Sequence, residues 1–168
     1  MLNWYRSWWK YAIQVLLFVA VFMIVDGYQT RGMLGPENDI PQLQQALVSL
    51  EGDVHPLVQP DRRTLVYFFA PWCRICALSI GSLNKLQDPS LDVVAVALDY
   101  QNIESVKAFV NEHQLRKLVL LGTQETRQQF KVPGYPSYYL FDEQGNVVAK
   151  SFGLNTSFGI KIKDWLTR

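Results

Sequence analysis

Cys73 and Cys76, separated only by Arg74 and Ile75, are the residues whose type and spacing best suit them to chemistry. Two cysteines this close cannot staple distant parts of a chain, so a disulfide scaffold is excluded; redox chemistry or metal binding remains. Their neighbours show how the pair is held. Thr64 to Ala70 is a nearly continuous apolar run, as in a central strand buried on both faces. Trp72 and Cys73 follow it, and Cys76, Ile80 and Leu83 then recur at i, i+4 and i+7 on one helical face. A cysteine where a helix begins meets unsatisfied backbone N–H groups and the positive end of the helix dipole, which favour thiolate. Arg74 adds a neighbouring positive charge. Cys76 lies about one turn further along the same face, within reach of a disulfide. Cys73 is therefore expected to be the exposed nucleophile and Cys76 the less exposed resolving thiol.

Other readings of the pair stay open on residue type alone. Two buried cysteines can be purely structural. Zinc needs four ligands, and His55 and His113, the only histidines, are not at ligand spacing from the pair and read as solvated loop and helix residues. No metal site is expected from that set, although soft Cu(I) can be held by two thiolates alone. A net charge of +1 without a basic run gives no basis for nucleic-acid binding.

The elements that must position the pair alternate along the chain. Glu51-Gly52-Asp53 reads as a turn between short strands, and a weakly signalled helix spans Pro41 to Leu50. Asp88-Pro89-Ser90 breaks the cysteine-bearing helix; Val93 to Leu98 is a second buried strand, and Asn102 is a good N-cap for a helix through Ile103, Val106 and Val110. Leu118 to Leu121 reads as a third strand and Thr123 to Phe130 as a short helix. Tyr138 to Phe141 and Val147 to Phe152 form a hairpin around Glu143-Gln144-Gly145-Asn146, and a last helix runs from about Thr156 to Leu166. This alternation predicts an α/β fold, a three-layer α/β/α sandwich with a mixed sheet.

The N-terminal segment is of a different kind. From Tyr11 to Val25 the chain is apolar apart from Tyr11 and Gln14, and including Trp8, Trp9 and Lys10 brings the candidate membrane-spanning helix to roughly 18 residues, about the minimum. Trp4, Tyr5, Trp8 and Trp9 resemble an interfacial aromatic belt; Arg6 and Lys10 precede the span, whereas Asp26 follows it. The positive-inside rule then puts the N-terminus in the cytoplasm and the remainder outside. A cleaved signal peptide is the competing reading, but Phe22 to Asp26 offers no small-x-small cleavage site. The expected organisation is an N-terminus and anchor over 1–26 (membrane contact through 8–25), a tether over 27–48 marked by Gly32, Gly35, Pro36 and Pro41, and a folded domain over 49–168 in an oxidising compartment.

Two motifs carry a family resemblance over roughly residues 50 to 168. They are Phe68-Phe69-Ala70-Pro71-Trp72-Cys73-Arg74-Ile75-Cys76 and the stretch from Val132-Pro133-Gly134-Tyr135-Pro136 to Asp142-Glu143-Gln144-Gly145. In both, in this order, the chain resembles membrane-tethered thioredoxin-like proteins, the group that includes TlpA, ResA, DsbE and ScsD. The resemblance implies a thioredoxin-like fold and a redox-active disulfide between Cys73 and Cys76, with no cofactor. It implies that Pro136 is a cis-proline facing the cysteines, with Trp72, Tyr135 and Pro136 contacting substrate and Arg74 tuning the thiol. A cis bond there would let Tyr135 offer its carbonyl and N–H to an extended peptide, as a sheet edge does.

It further implies a domain on the periplasmic side of a bacterial inner membrane, protein disulfides as substrates and a transmembrane thiol reductase as electron donor. Typical targets of the group are cytochrome c cysteines and copper-stress proteins. An oxidant using the same pair in reverse and a Cu(I)-binding module are the alternatives. The departures from the group are specific. Arg74-Ile75 replaces a dipeptide that often contains proline, Ser79 stands where many relatives carry glutamate, and Gly81 stands where a helix-kinking proline is usual. Tyr67 occupies the position of the buried aspartate of ordinary thioredoxins. Asp99 and Glu104 are the candidate substitutes for the missing acid, and each reads as a solvated loop-end carboxylate.

Overall fold

Every residue of strand β3, Arg63–Phe69, is buried, and the domain is layered around it. Alternation on the strand sends Leu65, Tyr67 and Phe69 to one face and Val66 and Phe68 to the other. β-branched and aromatic side chains suit this position because both faces of a central strand must be filled. The computed structural model describes residues 2–35, 45–59, 61–154 and 157–167, in two compact units, Met1–Arg31 and Gly32–Arg168.

The first unit is one helix, α1, Leu2–Thr30. Its Trp8–Thr30 portion, 23 residues, is long and apolar enough to cross a membrane. Leu16, Leu17, Phe18, Met23 and Ile24 all stand exposed. A helix apolar on every side fits a single-pass anchor. It continues past Val25 through Gly27, since one glycine costs a helix only about 1 kcal/mol.

In the second unit the order is β1 (Ala46–Ser49), β2 (Val54–Pro56), β3, α2 (Arg74–Ser79), β4 (Leu91–Ala97), α3 (Ile103–Glu112), β5 (Leu118–Leu121), α4 (Gln124–Gln129), β6 (Ser137–Phe141), β7 (Val147–Phe152) and α5 (Ser157–Leu166). Among the described residues the strands form one mixed sheet in the order β2-β1-β5-β4-β3-β6-β7. β3, β4 and β5 are parallel, and β1, β6 and β7 run antiparallel to their neighbours. One face packs Leu65, Tyr67 and Phe69 against Cys76, Ile80 and Leu83 beyond β3, Val106 and Phe109 of α3, and Ile160 of α5. The other packs Val66, Phe68 and Val96 against Phe130, Val132 and Tyr139. These are the three layers that the alternation predicts, in the thioredoxin-like arrangement that the resemblance implies.

Helix starts follow the sequence signals. Asn102 caps α3 by accepting from the Ser105 N–H at 2.8 Å, and Thr123 opens α4 with a reciprocal capping box to Thr126. After Ser79, α2 tightens into a 3-10 helix over Ile80–Lys85, beginning beside Gly81. Glycine is a poor helix former, and a 3-10 turn is a common way to end an α-helix.

The boundaries of the expected tether differ. Met33 and Leu34 are buried in the second core. The buried Tyr139 hydroxyl donates to the Phe130 carbonyl at 2.6 Å and accepts from the Leu34 N–H at 3.2 Å, while Lys150 Nζ donates to the Met33 and Leu34 carbonyls. The weakly signalled helix over Pro41–Leu50 meets strand at Ala46–Ser49, where pairing with β2 and β5 overrides local propensity; residues 36–44 lie outside the described set. The folded unit therefore begins before residue 49. Glycines and prolines around Met33-Leu34 hide two residues that tertiary burial selects.

Arg63 opens β3 with a buried charge. Its Nε donates to Asp164 Oδ1 of α5 at 2.8 Å and its Nη2 to Thr167 Oγ1 at 2.8 Å, with both charged side chains under a tenth exposed. Removing one partner leaves the other charge uncompensated. Asp164→Ala should thus cost about 3 kcal/mol, read as a lower urea midpoint, and much more than Asp92→Ala, which breaks only the more exposed pair with Arg62. The phenols of Tyr67 and Tyr139 are both pushed up by burial. The unfolded chain loses these protons near pH 10, roughly, while the folded chain keeps them, so their contribution is complete below that pH and falls above it. The unfolding free energy from urea titrations should decline above about pH 10 with a slope near 1.4 kcal/mol per pH unit for each tyrosine, and Tyr67→Phe should remove its share.

Candidate active site

Cys73 and Cys76 are joined as a disulfide at the start of α2, with Cα atoms 5.2 Å apart. The chain leaves β3 at Phe69, and the Cys73 N–H returns to the Ala70 carbonyl at 3.0 Å, closing the turn that brings Cys73 to the N-cap position. There its Sγ accepts from the Cys76 N–H at 3.1 Å, in the role that an oxygen side chain usually takes. The same N–H would stabilise a thiolate on Cys73. Cys73 keeps 8% of its surface exposed and Cys76 none. Arg74 and Ile75 between them are exposed. The surroundings thus differ for the two sulfurs, one near the surface and one covered.

The facing loop comes from the segment before β6. The Tyr135–Pro136 peptide bond is cis, and the Tyr135 carbonyl oxygen lies 3.6 Å from Cys73 Sγ. That contact becomes a hydrogen bond only in the dithiol state, since a disulfide sulfur carries no proton. Gly134 lets the loop lie close to the sheet: a Cβ there would come within 3.1 Å of the Phe152 ring. Ser137 steadies the loop from the other side, donating to the Gly134 carbonyl at 2.8 Å. Residues 62 apart in sequence thereby share one surface.

Beneath Cys76 the structure places two hydroxyls at the positions where the resemblance leads one to look for an acid. Tyr67 and Ser79, both buried, approach at 2.9 Å between oxygens. Ser79 Oγ also lies within hydrogen-bond reach of the Ile75 and Cys76 carbonyls. Burial above all, with the neighbouring Tyr138 in support, pushes the Tyr67 phenol up, so it stays neutral where thioredoxins have a carboxylate.

Asp99 is exposed just beyond β4, as expected of a solvated loop-end carboxylate, and it also has partners there. It follows β4, the parallel neighbour of β3, so it emerges beside the cysteines. Its Oδ2 accepts from the Tyr135 hydroxyl at 2.9 Å and from Arg127 Nη1 at 2.7 Å, and its carbonyl accepts from Trp72 Nε1 at 2.9 Å. Trp72 meets the Tyr135 ring edge-on at 5.8 Å between centroids, and the Arg127 guanidinium stands 5.8 Å from the same ring. Burial, and then the bond to Asp99, pushes the Tyr135 phenol up. Arg127 carried no signal in the sequence, because its relevance depends on α4 reaching the end of β4. Glu104 is exposed in the first turn of α3. His55 lies on β2, and His113 ends α3 half-buried with its ring 4.5 Å from that of Phe109.

Comparison with known proteins bears on the same region. The model of the Redoxin family matches residues 36–157. The thioredoxin-like protein YneN of Bacillus subtilis is 29% identical over 119 residues, 65% of this chain and 70% of its own length. A secreted Mycobacterium tuberculosis disulfide oxidoreductase homologous to E. coli DsbE has the same fold, with a TM-score of 0.67 at 17% identity over 76% of this chain and 99% of that one. StoA from Bacillus subtilis gives 0.62 at 20% identity over 73% and 95%. The matched span holds the disulfide, the proline loop that faces it and the strands that support both. On these grounds the chain belongs to the Redoxin family, as a thioredoxin-like thiol–disulfide oxidoreductase.

Proposed function

We propose that this oxidoreductase reduces disulfides in protein substrates on the outer, periplasmic side of a bacterial inner membrane, held there by α1. One observation carries the reading of the site: Cys73 Sγ keeps some exposure beside the Tyr135–Pro136 loop, while Cys76 is fully covered behind it. The Cys73 thiolate attacks one sulfur of a substrate disulfide. The substrate S–S bond breaks, a mixed disulfide forms, and the departing substrate thiolate takes up a proton from water. Cys76, deprotonated, then attacks Cys73 Sγ and expels the second substrate thiolate. Two electrons pass to the substrate, and the Cys73–Cys76 disulfide remains. A transmembrane thiol reductase restores the dithiol.

The surroundings suit these steps. The Cys76 N–H and the charge of Arg74 favour thiolate on Cys73. Trp72, Tyr135 and Pro136 form the substrate-contacting rim, where the Tyr135 backbone pairs with an extended peptide as a strand edge would. Arg6 and Lys10 before the apolar span support an N-terminus inside and a domain outside. The names of the relatives, a disulfide oxidoreductase among them, support the reaction class.

Two measurements test the reading. Cys76→Ala should accumulate mixed disulfides with outer-side proteins through Cys73, separable on non-reducing gels, whereas the Cys73→Ala,Cys76→Ala double variant should trap none. Failure of Cys76→Ala to trap any partner would sink the assignment of roles. Equilibration with glutathione or dithiothreitol buffers should give a reduction potential near that of thioredoxin, about −270 mV; a value near about −120 mV would make the protein an oxidant.

A further inference from the structure

Disulfide exchange accounts for the cysteines and the proline loop, yet it leaves unexplained why a single aspartate gathers side chains from three other segments. The β3–β4 register pairs Phe69 with Ala97, and the Leu98 N–H donates to the Phe69 carbonyl at 2.8 Å. Asp99 therefore leaves the sheet alongside the turn that carries Cys73. Its backbone is in the left-handed region, with φ of +49°. Aspartate tolerates that region better than most residues, but the conformation still has a cost and is kept only where the surroundings hold it. Those surroundings are the Trp72 indole on its carbonyl and the Tyr135 hydroxyl and Arg127 on its carboxylate.

The consequence falls on Tyr135. Its hydroxyl is bound to Asp99 and its ring lies beside Arg127 and Trp72, so the side chain is tied at its far end. The carbonyl remains on the sulfur side, 3.6 Å from Cys73 Sγ. Since burial and the carboxylate keep the phenol protonated, it is a constant donor. Trp72, 64% exposed, is pinned at the same time as one wall of the rim.

The geometry points to Asp99 as a positioning residue for polypeptide substrates: through Tyr135 and Trp72 it holds the peptide-reading loop in its binding-competent arrangement. This rests on the substrate-reading role proposed above for that loop and adds a residue which touches neither sulfur. Without the tie the loop samples other arrangements, and apparent affinity falls in proportion to the lost competent fraction. The rival role, proton acceptor for Cys76, would act on every disulfide alike.

The test compares two substrates on the reduced full chain in detergent micelles, an extended peptide with one intermolecular disulfide and the small hydroxyethyl disulfide. Asp99→Ala and Tyr135→Phe should each lower the ratio of peptide to hydroxyethyl-disulfide kcat/KM by about tenfold, with the change in KM for the peptide. The double variant should fall no further than the worse single variant, as expected for two ends of one interaction. Equal losses on both substrates, or an unchanged ratio, would overturn the positioning role. Tyr135→Phe removes one hydroxyl and decides the matter by itself if Asp99→Ala does not fold. A wild-type chain inert toward the peptide would remove the parent reading and this one with it; an active wild type with unaltered variants would remove this one alone.

Discussion

The double burial of β3 is the constraint on which the rest depends. It pairs over its whole length with β4 and over five residues with β6, so its register is fixed from both sides. A one-residue slip would exchange Leu65, Tyr67 and Phe69 with Val66 and Phe68 and put each set on the wrong face. The chain therefore leaves the sheet at one point and in one direction, and Cys73 inherits both. The Arg63 ion pair at the other end of the strand joins α5 to the same element.

From that fixed point the active site is assembled mostly by backbone. The Cys76 N–H faces Cys73 Sγ, and the Tyr135 carbonyl stands opposite. Backbone groups held by a packed sheet need little reorganisation when charge develops on sulfur. Beneath the pair, two buried hydroxyls replace the customary acid, so that side of Cys76 holds neutral groups. The charged groups at the rim, Asp99 and Arg127, are spent on one another and on Tyr135. Arg74 contributes charge from the exposed dipeptide.

Much of the fold was legible because its signals are local. The apolar run at Thr64–Ala70, the caps at Asn102 and Thr123, and the hairpin around Gly145 each express a preference within a few residues. The first strand and the segment at Met33-Leu34 were not, since their burial comes from partners far along the chain. A four-residue strand such as Ala46–Ser49 carries too little periodicity to stand out from a short helix. Around the disulfide, the motifs single out Cys73, Cys76, Tyr135 and Pro136 in the sequence, whereas the bonds that tie Asp99 to Tyr135 and Arg127 carry no local signal.

The sequence by itself determined the reactive pair, the alternation of elements that supports it and the apolar helix ahead of it, because each depends on spacing along the chain. Tertiary structure alone decided which side chains meet around that pair. Asp99 reaches Trp72, Arg127 and Tyr135 across 27, 28 and 36 residues. Such contacts follow from the parallel register of β3 and β4 and the return of β6 beside them, and no local pattern of residue types encodes a register between strands.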